Sequence, residues 1–83
     1  MRAEHLLPDG QDRAEIDGVA VRKGTVGAFL VNARVLGTPD ASPAARAEAR
    51  GDILAALPAL RALGLFDVLE VRDPALRAWI GAQ

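Results

Sequence analysis

One corner of the chain carries residue types that could grip an anion. Arg22, Lys23 and Gly24 lead into Thr25, and the apolar run behind them reads as the start of a helix. The first turn of a helix has backbone N–H groups without intrahelical partners, and its dipole favours negative charge. Two cations and a glycine ahead of such a turn would let a phosphate or carboxylate reach the N–H groups of Val26, Gly27 and Ala28. A nucleotide-binding loop, however, needs a longer glycine stretch ending in Gly-Lys-Ser/Thr, and a dinucleotide fingerprint needs three spaced glycines opening a βαβ unit. The stretch has neither. Arg22, Lys23, Gly24 and Thr25 are a candidate anion corner; the preferred reading is a strand-to-helix turn made by Gly24 and capped by Thr25.

The other reactive side chains are scattered. Nucleophilic catalysis needs a nucleophile, a base and an orienting group. The single Ser, Ser42, precedes Pro43 as a helix cap, and the single His, His5, lies in a polar N-terminal stretch. With no Cys, thiolate nucleophiles, disulfides and Cys-held metals are excluded. Carboxylate pairs remain. Asp9 and Asp12 belong to turn chemistry beside Gly10, and Glu48 and Asp52 to a solvated helix face. Asp67, between Phe66 and Val68, points outward under strand alternation. Acid–base pairs need burial or a close like charge to separate their pKa values; no such pair is visible. The reading is therefore of a protein that is not an enzyme, with no catalytic residue, no metal site and no cofactor.

Composition sets the frame for the elements that must position these residues. Eighty-three residues make one domain, and a chain of this size buries roughly 60% of its unfolded surface. Half of the residues are apolar, at 51%, but only two Phe, one Trp and no Tyr are available as large anchors. A net charge of −1 argues against a general polyanion binder. No apolar run approaches the ~20 residues of a membrane span, and the N-terminus has no apolar core of signal-peptide length. The expected compartment is the cytoplasm.

Residues 1–12 read as a flexible N-terminal arm broken by Pro8-Asp9-Gly10, and residues 13–83 as a single small domain. In "RAEIDGVAVR", Asp17-Gly18 suits a two-residue type I′ turn. The register then sets Ile16 opposite Val19 and Ala14 opposite Val21 on one face. A helix follows from Thr25 to a stop at Gly37. Val26, Phe29, Leu30 and Ala33 form one stripe on it, suited to the hairpin face; Ala28, Val31 and Val35 form another. Apolar on most sides, it is expected to be buried on most sides or to meet a partner.

Ser42-Pro43 starts the next helix, with Ala49, Ile53, Leu57 and Leu60 as its core face. Pro58 should kink or divide it, and Gly64 ends it. "LFDVLEVR" offers a third strand, with Phe66, Val68, Leu69 and Val71, and Asp73-Pro74 caps a short last helix carrying Trp79 and Ile80. The expected fold class is α+β, in the order β-β-α-α-β-α.

The segments "VRKGTVGAFLVN" and "LPALRALGLFDV" resemble a family of small, uncharacterised bacterial proteins classed as a domain of unknown function. The resemblance spans most of the chain through caps, turns and core positions. It implies the same fold and no activity.

Two function classes compete. The first is a small, non-catalytic protein-interaction or assembly module, a homodimer or a docking surface for another protein. Its candidate interface is Phe66, Leu69, Trp79 and Ile80, with the hairpin edge as a second route. The second is a nucleic-acid binder. A recognition helix needs exposed polar or basic residues near its start, whereas the first helix has only Asn32 and Arg34, far along. The second interleaves Arg46 and Arg50 with Glu48 and Asp52.

Overall fold

The structure, a computed structural model, describes residues 13–83. The expected arm, with His5, Asp9 and Asp12, lies outside the described residues. Strand β1 (Arg13–Ile16) and strand β2 (Val19–Arg22) form an antiparallel hairpin. Asp17 and Gly18 both take positive φ, 51° and 78°, as a type I′ turn requires. The register is the expected one: Ile16 opposes Val19 and Ala14 opposes Val21. Those four residues are buried or half-buried, while Arg13, Glu15, Ala20 and Arg22 face water.

Helix α1 (Thr25–Leu36) and helix α2 (Pro43–Leu63) follow. Ser42 caps α2 as expected, its hydroxyl accepting from the Ala45 N–H at 3.0 Å. The core face of α2 is also as expected, since Ala49, Ile53, Leu57 and Leu60 are all buried. Pro58 does not divide the helix, which continues through it to Leu63. Pro58 itself is exposed, and the carbonyl freed by the missing N–H belongs to Leu54, a residue 42% exposed.

Two expectations for α1 need correction. Thr25 is not the N-cap: Gly24, with φ of 84°, takes that place without a side-chain bond, and Thr25 is the first helical residue. Nor is α1 buried on most sides. Only Phe29 is buried, while Leu30 and Val31 are 54% and 61% exposed. The reason is the order of packing. The hairpin rests on α2, and α1 packs on α2 as well, so α1 has one covered side where two were expected.

The third strand is also corrected. Beyond Gly64, left-handed at φ 79°, the chain makes a short helix α3 (Leu65–Val68) and then an extended stretch to Asp73. Among the described residues the sheet has two strands. Leu65 and Phe66 pack on the core while Val68 and Leu69 are exposed. Two in and two out is helical spacing, which a short apolar run cannot distinguish from a strand by composition. Helix α4 (Pro74–Gly81) completes the fold. Asp73 caps it, accepting from the N–H groups of Ala75 and Leu76 at 2.8 and 3.3 Å. The result is a small α+β fold of hairpin and helices.

Two arginines tie the elements together. Arg46 bridges the α1–α2 connection, its guanidinium donating to the carbonyls of Leu36 at 3.0 Å, Thr38 at 2.6 Å and Ala41 at 3.3 Å. Arg61 on α2 donates to the Ile80 carbonyl at 3.2 Å, which also accepts from the Gln83 N–H, and to the Gln83 carbonyl at 3.1 Å, fastening the end of α4 to α2. Arg46→Ala is therefore expected to lower stability by about 1–3 kcal/mol in denaturant unfolding. Arg46→Lys should recover only a small part, because an ammonium cannot span the same carbonyls.

Candidate functional site

The most distinctive surface is an apolar groove between α1 and the segment from Leu65 to Leu76. Spacing on α1 builds one wall: Val26, Leu30 and Ala33 stand at i, i+4 and i+7. The left-handed turn at Gly64 builds the other, because it swings Leu65 and Phe66 back against the core and leaves Leu69 standing at the rim. Phe29 and Leu76, both buried, lie beneath. The rings of Phe29 and Phe66 meet edge to face, with centroids 5.8 Å apart, a geometry that adds roughly 0.5–1.5 kcal/mol beyond area burial. The groove encloses about 540 Å³. Charged residues stand along it: Arg34 on α1, and Glu70, Arg72 and Asp73 opposite.

The rim segment is pinned to α4. Arg77 donates through Nη1 to the Val71 carbonyl at 2.9 Å and pairs with Glu70 at 3.3 Å. The ion pair is exposed and worth little; the bond to the backbone carbonyl is the positional one.

The candidate interface residues separate in space. Leu69 is 60% exposed, Phe66 and Trp79 are partly buried against the core, and Ile80 lies within it. Ile80 therefore serves its own fold. Leu30 joins Leu69 across the groove, although its place in the stripe with Phe29 suits it to the hairpin. The signal that could have found it is the scarcity of polar residues on α1, where Asn32 and Arg34 alone are strongly polar.

The anion corner is differently occupied from what its residue types suggest. The Thr25 hydroxyl donates to the Arg22 carbonyl at 2.6 Å. The Ala28 N–H, one of three expected donors, begins the helix ladder by donating to the Gly24 carbonyl at 2.8 Å. Arg22 and Lys23 are exposed. Arg22 borders a depression of about 450 Å³ whose lining also contains Asn32 and Asp52, and the Asp52 carboxylate opposes an anion there.

Elsewhere, Glu48 and Asp52 lie exposed on α2, and Asp67 is exposed on α3. Among the described residues no three His, Asp or Glu side chains gather as metal ligands. None of the described helices is long and apolar enough to cross a membrane. Comparison of the chain with protein-family models, with curated proteins and with solved structures gave no match.

If the corner is a turn, the double variant Arg22→Gln, Lys23→Gln should unfold within about 0.5 kcal/mol of the parent. Amide shifts at Gly24 to Gly27 should also stay still on adding inorganic phosphate at sub-millimolar concentration. Saturable shifts there would establish the corner as a binding site.

Proposed function

We propose that the protein is a small, non-catalytic interaction module of the cytoplasm that docks an apolar segment of a protein partner in the groove between α1 and residues 65–76. One observation carries the reading: Leu30 and Leu69, at 54% and 60% exposed, flank a single groove over buried Phe29. Leaving two leucines more than half in water above a ready-made apolar floor forgoes roughly 1–2 kcal/mol for each. A partner that covers them recovers that energy. Contiguous exposed apolar surface bordered by charge is the usual mark of such a site. The residues with reactive side chains support a non-catalytic role, since Ser42 and Asp73 are engaged as helix caps and the exposed carboxylates are dispersed.

The nucleic-acid reading loses support at Arg46. Its guanidinium is held by loop carbonyls, which leaves Arg50 beside Glu48 and Asp52 as the basic group on that face of α2.

Leu30→Asp and Leu69→Asp test the proposal because both sites are exposed and neither change should disturb folding. Cross-linking to bound proteins, with mass-spectrometric identification, should show one and the same partner lost from both variants and kept by Glu48→Gln. Partners indifferent to both changes would refute the groove. Steeply salt-dependent binding of random duplex DNA by the parent would transfer the proposal to nucleic acid.

A further inference from the structure

The hairpin carries a second surface, independent of the groove. In a hairpin with a two-residue turn, the pair flanking the turn exchanges hydrogen bonds and the bonded pairs then alternate. By this rule Ile16–Val19 and Ala14–Val21 are bonded pairs, Glu15–Ala20 and Arg13–Arg22 are non-bonded ones, and the N–H and C=O groups of Arg13 and Glu15 point away from β2. The outer edge of β1 carries the backbone groups that do not point at β2. Among the described residues no segment pairs with that edge. The apolar face is also unevenly covered. Val21 of β2 is 2% exposed, whereas Ala14 and Ile16 of β1 are only half-buried, so α2 shields β2 more completely than β1.

Charge decides what fits. If a second β1 lies antiparallel to the first, with the twofold axis at Ala14, each Arg13 stands opposite Glu15 of the other copy. Both cross-chain charged pairs are then of opposite sign, and Ala14 meets Ala14 on the apolar face. The arrangement also relieves a conflict within the hairpin, where Arg13 directly opposes Arg22, a like-charge pair that weakens a sheet. The outer edge of β2 offers no such match: its solvent-facing residues are Ala20 and Arg22, and the Arg22 carbonyl already accepts from Thr25.

We propose that the protein forms a twofold homodimer by antiparallel pairing of β1 with β1 of a second copy, making one four-stranded sheet. A two-stranded ribbon of four-residue strands is marginal, and widening it is the common remedy. The apolar faces of both hairpins then lie on the same side of the joined sheet, and each copy covers the half-buried Ala14 of the other.

Sedimentation velocity over a concentration series tests this with charge variants. Arg13→Glu and Glu15→Arg should each weaken the dimer by about tenfold or more, since each turns two opposite-charge pairs into like-charge pairs. The double variant Arg13→Glu, Glu15→Arg should restore it with the signs exchanged. At concentrations where the parent is monomeric, Arg13→Glu should not lower the melting temperature, because the introduced carboxylate then faces Arg22, so dimer loss cannot be ascribed to misfolding. Ala14→Cys should oxidise to a covalent dimer, as an antiparallel pair on the twofold axis brings its Cα atoms to about 4.5–5.5 Å, within disulfide range; Ala20→Cys should not. A parent that stays monomeric up to about millimolar concentration overturns the proposal. So does a dimer indifferent to both single variants, or one that the double variant fails to restore. A dimer that responds to Leu69→Asp and not to Glu15→Arg would place self-association in the groove. Loss of the β1 dimer alone leaves the groove reading standing.

Discussion

The packing of Ile53 and Leu60 on α2 is the interaction on which everything else rests. Both side chains are fully buried, and both belong to the one helix that touches the hairpin, α1 and α3. With so few large residues, the chain cannot build a core between two layers of equal weight. It lays the hairpin, α1 and α3 on a single 21-residue strut. Small side chains at Ala49 and Ala59 let neighbouring backbones close on that strut, and both are buried. The cost is coverage: an element resting on one helix keeps its far side in water, which is why Leu30 and Val31 of α1 are exposed and why β1 is only half covered.

The same constraint accounts for the character of the surface. Polar side chains that could carry chemistry are engaged locally, at Ser42, Asp73, Arg46 and Arg61, because a thin core leaves helix ends and connections to be held by hydrogen bonds. Apolar side chains are in surplus where coverage runs out. Among the described residues two features are left uncovered, the apolar groove and the outer edge of β1.

Local chemistry made much of the fold legible in the sequence. Asp17-Gly18 specified the hairpin turn and, through it, the whole register. Ser42-Pro43, Gly64 and Asp73-Pro74 marked helix ends because each residue type satisfies a particular backbone need. What was not legible depends on tertiary choice. Leu65–Val71 is short and apolar, and only its contacts with Phe29 and the core decide for helix over strand. Thr25 has the right chemistry for a cap, yet Gly24 can take positive φ and so claims the position. Leu30 fits a stripe with Phe29, and the choice of α2 over α1 as the support for the hairpin left it outside. The groove was half visible for the same reason: Leu69 could be singled out from its segment, but its counterpart across the groove could not.

Native-state hydrogen exchange tests the central role of α2 most directly. If the helix is the strut, amides from Ile53 to Leu60 should exchange only through global unfolding, with protection equal to the full unfolding free energy. Those of α1, of the hairpin and of residues 65–71 should open at lower energies, each by its own local route. Maximal protection in α1 or in the hairpin, with α2 opening earlier, would contradict the account.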